Sequence, residues 1–408
     1  MTSVAIRGAA QVLRPPQDGL PYLRHDHAGE MRLEPGEVLL DCGRIAGFQA
    51  ADADVTVDAA GCAVLPGFVD CHTHLPFAGW RAQEYERKVT GVPYEEIARA
   101  GGGIASSARS LAETSDEDVL AQATMLASEL LAHGTTAFEG KTGYGFSHAG
   151  EARAARLGRE LAARVVQPMR VTGLFAHAVP PGFTADGWMD EAEALARECD
   201  VDALDIFVES VAFGNEHLAR MGAIARAAGL PLRAHVEQLS TLRSVPVALE
   251  SGARSLDHLS LIHPDDVAPL ARSETAAVLL PGAELINAEH TAPARALADA
   301  GAIGVLATDL NPGTSPIASM PVIIGLGVRR YGWSVREALL AATLNAAWVL
   351  GWSDELGSLE PGKRADVLVL DGPAEHVPYR FGHNPVALAF AAGEPVWVRP
   401  DQAWRLRP

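Results

Sequence analysis

Cysteine is scarce in this chain: Cys42, Cys62, Cys71 and Cys199 are the only four in 408 residues, and no two form a CxxC pair. Such sparse thiols are expected to be reduced, and none is needed as a metal ligand. Basic charge is short as well, with 33 Lys and Arg against 51 Asp and Glu, a formal net charge of -18. Without a Lys/Arg-rich run to offset that excess, the chain opposes a nucleic-acid backbone or an anionic membrane surface. No segment approaches the roughly 18 uninterrupted apolar residues of a membrane span. The opening MTSVAIRGAAQVL lacks a basic leader followed by a long apolar region, and low-complexity tracts are missing too. The expectation is a cytoplasmic protein acting on a small molecule, with no nucleic acid and no membrane as partner.

What is present is an ordinary globular profile, 48% hydrophobic and 21% charged, long enough for a sizeable core. From Pro66 onward, short apolar runs alternate with longer segments of helical period. Eight runs can be counted: Leu65–Cys71, Thr135–Gly140, Arg170–Ala176, Ala203–Glu209, Pro231–Val236, Ala253–Leu259, Ala276–Pro281 and Ile303–Thr308. Eight strand-helix repeats predict an α/β fold, a (β/α)8 TIM-type barrel. An open doubly wound sheet is the runner-up. It would show a Gly-rich phosphate turn after an early strand, whereas Gly101-Gly102-Gly103 follows a helical pattern. The two ends carry short strand-like pieces, among them Glu37–Asp41, Gly43–Gly47, Lys363–Asp371 and Pro395–Val398. Neither end has enough strands to stand alone, so both are expected to build one small β-sandwich domain from residues 1–65 and 350–408, with the barrel over 66–349.

Catalytic groups of such a barrel sit at the carboxyl ends of its strands. The first run stops on His72 and His74, which the period of two points in one direction. The fifth ends with His235 and Glu237, the sixth with His258, and the eighth runs into Asp309. Any one of these is a weak signal; together, at four strand ends, they describe a metal site. Imidazoles with a carboxylate and one open position suit Zn or Fe better than Mg or Ca. Such an ion activates water near neutral pH, so hydrolysis is the natural reaction class.

The motifs VLPGFVDCHTH, the strand-end histidines, Thr308-Asp309 and GSLEPGKRADVLV (357–369) resemble the amidohydrolase superfamily over nearly the whole chain. Phe77–Tyr85, Tyr94–Ile104, Lys141–Gly145, His235–Ser240, Leu279–Ala283 and Asp309–Pro316 are similar to the imidazolonepropionase family within it. The resemblance implies one divalent metal, Zn or Fe, held by His72, His74, His235 and Asp309. It implies attack of a metal-bound hydroxide on the ring amide carbonyl of 4-imidazolone-5-propanoate, giving N-formimidoyl-L-glutamate in histidine breakdown, and a homodimer.

Carried over, Arg81, Tyr94, Tyr144 and His177 would surround the substrate, with Gln238, Asn311, Gly313 and Thr314 completing the pocket. His258 would polarise the carbonyl, and Asp309 would move the proton from water to the leaving nitrogen. Some family members have Glu where this chain has Gln238, which leaves acid-base work to Asp309 and His258. Glu237 is expected to support His235. Glu209 stands where binuclear relatives place a carboxylated lysine, so a second metal there stays open. The alternative activity is deamination of a nucleobase-like heterocycle, and a scaffold that has lost catalysis is the reading outside enzymes.

Overall fold

The computed structural model describes residues 2–407 apart from 50, 93–95, 97–100 and 288–289. Eight parallel strands pair in sequence order: Phe68–Asp70, Thr135–Lys141, Met169–Ala176, Ala203–Val208, Leu232–Val236, Ala253–His258, Ala276–Leu279 and Ile303–Leu306. Helices such as Asp116–Ala132, His148–Arg164 and Asn215–Ala228 lie between them. The first and last strands meet just past their ends through a parallel bridge between Thr73 and Leu310. There the Asp309 N–H donates to the His72 carbonyl and the His74 N–H to the Leu310 carbonyl, each at 2.9 Å. The ring therefore closes at the level of the ligand-bearing residues. The expected eight-stranded barrel is the observed one.

The first apolar run is divided. Ala63–Pro66 leaves the barrel, pairing in parallel with Gln11 and Val12 and antiparallel with Val367–Val369. Gly67 is the crossing point, because a Cβ there would lie 1.9 Å from Thr136 Oγ1. The chain can pass only with no side chain at that position.

Both termini build a nine-stranded sheet that includes Val4–Arg14, Arg32–Asp41, Arg44–Gly47, Val367–Leu370, Val386–Ala391 and Glu394–Val398. It covers a core of its own, formed by residues such as Ile6, Val38, Val57, Val64, Val369 and Phe390. None of the helices described is long and apolar enough to cross a membrane.

Candidate metal centre

Strands of a barrel interior alternate between facing the axis and facing the helices, so ionisable residues two apart share the axial side. Five charged residues use that rule: Glu139 and Lys141 on the second strand, Asp205 on the fourth, Arg233 on the fifth and Asp257 on the sixth, all buried. Buried charges are tolerated only when paired. Lys141 Nζ lies 2.7 Å from Asp205 Oδ2, 2.9 Å from Glu139 Oε2 and 3.8 Å from Asp257 Oδ2. Arg233 reaches Glu139, donates to Asp257 Oδ2 at 2.8 Å and donates to the Cys71 carbonyl at 2.6 Å. Burial and Arg233 oppose the charge on Lys141, yet Asp205, Glu139 and Asp257 together hold its pKa above the ordinary lysine value.

The histidines stand on this charged floor. His72 Nδ1 donates to Asp257 Oδ2 at 2.6 Å, and His235 Nδ1 donates to Asp205 Oδ1 at 3.1 Å. Each bond fixes the tautomer and turns the opposite nitrogen outward. Nε2 of His72 and of His235 are then buried with no hydrogen-bond partner. His74 completes the group, its ligand atom and those of His72 and His235 lying within 4.8 Å of one another. Asp309 Oδ1 sits 3.2 Å from His74 Nε2 and 3.5 Å from His72 Nε2.

Burial, with the neighbouring cations, pushes the His72 pKa well below its ordinary value, and burial with His235 does the same to His74. Neutral imidazoles and a carboxylate, with ring nitrogens left orphaned in a water-poor interior, are the donor set a divalent ion such as Zn or Fe requires. The residues present fit a metal.

His258 and Asp309 reach this centre by an unusual backbone. Their φ values are +79° and +54°, and Glu237 has +55°. Left-handed geometry at three non-glycine positions around one site is costly and marks the strand ends as strained. For His258 it also turns the side chain from the outer face, where strand parity after Asp257 would aim it, to within 5.4 Å of the His235 ring. Burial lowers its pKa to about 3, so the ring is neutral near pH 7. Burial pushes the Asp309 carboxyl upward, against the opposing pull of His258 and His235.

A cavity of about 270 Å³ opens above the cluster. Its wall includes Arg81, Tyr144, His177, Gln238, His258, Asp309, Asn311 and Thr314, with Phe207 and Ile104 as apolar surface. Arg81 is held from behind by Ser107 Oγ at 2.9 Å and Glu84 Oε2 at 3.4 Å, while Glu84 also accepts the Gly103 N–H. Gly313 is not on the wall but under the guanidinium: a Cβ there would lie 1.8 Å from Arg81 Nη2. Its role is to let the planar group lie on the backbone. Asn311 shapes that loop, its Oδ1 accepting the N–H of Gly313 at 2.9 Å and of Thr314 at 2.7 Å. His177 donates Nδ1–H to the Gly143 carbonyl at 3.0 Å and stacks on His74.

Tyr94 lies outside the described residues. Glu237 does not support His235; its Oε1 accepts the Ser244 N–H at 2.7 Å, because the left-handed turn carries it away from the strand. Glu209 is likewise occupied, by three backbone N–H groups and the Ser240 hydroxyl. The residues that the sequence reading missed are Glu139, Asp205, Arg233 and Asp257. Their signal is charge inside apolar strands, with Arg233 two residues before His235 and Glu139 two before Lys141.

The chain matches the amidohydrolase family over residues 63–398. It is 43% identical over 364 residues to the imidazolonepropionase of Rubrobacter xylanophilus, covering 88% of this chain and 86% of that one. With the imidazolonepropionase of Paracoccus denitrificans it shares 40% identity over 392 residues, 92% of this chain and 98% of the relative. Among solved structures, a zinc-bound adenosine deaminase from Xanthomonas campestris superposes with a TM-score of 0.70 at 19% identity, covering 97% and 93% of the two chains. A guanine deaminase from C. acetobutylicum gives 0.71 at 14% identity, over 97% of this chain and all of the other, 100%. Likeness at that level concerns the fold.

Proposed function

Since the chain belongs to the amidohydrolase family, and within it groups with the imidazolonepropionases, we propose that its cavity is where 4-imidazolone-5-propanoate is opened to N-formimidoyl-L-glutamate. The enzyme is a hydrolase of a cyclic carbon-nitrogen bond in histidine catabolism. The observation that carries the reading is relatedness to those enzymes over nearly the full length of both chains.

His72, His74, His235 and Asp309 would hold the metal. When bound, a divalent ion there supplies Lewis acidity and a reactive oxygen at neutral pH. Arg81 binds the propionate carboxylate through its planar, permanently charged fork, and Tyr144, His177 and Gln238 orient the ring. His258, neutral at working pH, donates an N–H to the carbonyl oxygen as negative charge develops on it. Asp309 accepts the proton of the attacking water and returns it to the ring nitrogen as the carbonyl carbon-nitrogen bond breaks. One water is consumed: its oxygen joins the carbonyl carbon to complete the new carboxyl group, and its proton ends on the former ring nitrogen, which stays in the same product. Asn311, Gly313 and Thr314 act through the loop that supports Arg81.

The native metal is Zn or Fe, and the working state is a cytoplasmic homodimer, as the family resemblance suggests. We place one domain at residues 1–65 with 350–408 and the barrel at residues 66–349. A nucleobase deaminase would use a titratable side chain where Gln238 stands, and the amide cannot carry a proton.

The test is incubation of metal-loaded protein with freshly generated 4-imidazolone-5-propanoate. Accumulation of N-formimidoyl-L-glutamate is expected. Ammonia release from guanine or cytosine, with the imidazolone untouched, would overturn the assignment.

A further inference from the structure

We infer that Glu209 is a positioning residue that sets Gln238 against the substrate, rather than a ligand for a second metal. Glu209 follows the fourth barrel strand and is 2% exposed. Every contact it makes points into the loop after the fifth strand or its own turn. Oε2 accepts the N–H of Leu239 at 2.8 Å and of Ser240 at 3.1 Å. Oε1 accepts the Ser210 N–H at 2.9 Å and the Ser240 hydroxyl. A carboxylate with four donors has no strong lone pair to offer a cation. The buried carboxylates of the barrel floor are already paired, Asp205 with the Lys141 ammonium at 2.7 Å and Asp257 with the Arg233 guanidinium at 2.8 Å.

The position gripped is the one that matters. Gln238 lies on the cavity wall immediately before Leu239. On its other side, Glu237 is turned by its left-handed φ and tied to Ser244 and, through its carbonyl, to Leu261. Gln238 therefore sits between two anchored neighbours, and the point and direction from which its side chain leaves the backbone are set by them. Ordering a loop and a long side chain together costs more than one hydrogen bond returns, and anchoring the backbone in advance removes the loop's share of that cost.

The inference rests on the reading of the cavity as the site of imidazolone hydrolysis. Its test is a double-mutant cycle of Glu209→Gln and Gln238→Ala, read as KM and kcat with metal content measured alongside. Glu209→Gln presents an amide N–H to backbone N–H groups and should raise KM by about tenfold, with kcat less affected and one metal per chain retained. In the Gln238→Ala background the same substitution should change KM by less than about twofold. Ser240→Ala, which removes only the hydroxyl contact, should shift KM in the same direction by a smaller factor and covers the case in which Glu209→Gln fails to fold. Equal KM effects in both backgrounds, or metal content that falls with Glu209→Gln, would overturn the inference. A wild-type protein inert toward the imidazolone would instead sink the functional assignment.

Discussion

Lys141 is a buried cation below the metal centre. It is fully buried among Glu139, Asp205 and Asp257, and Arg233 shares the work of balancing Glu139 and Asp257. Lys141→Met keeps much of the volume and removes the charge. Taking one partner from a buried ionic group costs about 3 to 5 kcal/mol, because the remaining charges are left uncompensated. Denaturant unfolding should show a loss of that order. The variant Glu139→Gln/Lys141→Met removes one charge of each sign and should recover part of the loss. Strict additivity of the two substitutions would mean that the five groups do not act as one network.

At the scale of elements, the mouth of the barrel is made of loops held by carboxylates carried on neighbouring elements. The loop over residues 142–146 bears Tyr144, and it is fastened by Glu151 from the helix His148–Arg164. Glu151 accepts the N–H of Gly143 at 3.0 Å and of Gly145 at 2.5 Å. Gly145 also approaches that helix so closely that a Cβ would lie 2.2 Å from the Glu151 nitrogen. Burial raises the Glu151 pKa to about 7, with the loop's hydrogen bonds acting against it. Protonation turns one acceptor oxygen into a donor, so the clamp is complete above pH 7 and weakens as pH falls through it. KM of the wild type should therefore rise below about pH 7. Glu151→Gln, which mimics the protonated acid, should raise KM by roughly tenfold and remove that pH dependence. A pH profile identical in the variant would refute the clamp.

These elements also show where a sequence speaks and where it is silent. The strands over 135–141 and 303–306 are legible because apolar runs bounded by turn residues have one physical use in a core. The carboxyl ends of the first, fifth and eighth strands give away His72, His74, His235 and Asp309, since a barrel has one reactive face. The division at Gly67 is hidden, because both halves of the run 63–70 are equally apolar and only a through-space approach to Thr136 requires the break. The placements of Glu237 and His258 are hidden too, as strand parity cannot anticipate a positive φ in a residue with a Cβ. Gly313 looks like an ordinary turn glycine until the Arg81 guanidinium is seen lying on it.

Across the whole molecule, the terminal sheet and the barrel are joined by the excursion between the first two strands of the sheet. Leu23 exchanges hydrogen bonds with the Asn345 side chain at 3.0 and 2.9 Å, and the His25 N–H donates to the Ala302 carbonyl at 3.1 Å. The His25 ring is 2% exposed, lies 4.3 Å from the Trp333 ring, and accepts the Gly304 N–H on Nδ1 at 3.2 Å. Gly304 is there because a Cβ would lie 2.5 Å from the imidazole. Burial drives the His25 pKa down from 6.5 to about 4, and a proton on Nδ1 would also set a donor against the Gly304 N–H.

In the unfolded chain the imidazole takes a proton below about pH 6.5, while the folded protein resists it to about pH 4. The stability contributed by neutral His25 is thus present above pH 6.5 and lost as the pH falls toward 4, by about 3 kcal/mol in all. His25→Gln keeps an acceptor and cannot titrate. The stability difference between wild type and this variant should shrink by about 2 kcal/mol between pH 7.5 and pH 5, measured by urea unfolding at each pH. Other buried histidines titrate alike in both proteins and cancel from the difference. A difference that stays constant over that range would mean that His25 is charged inside the fold, or that this junction opens before the barrel and sheet do.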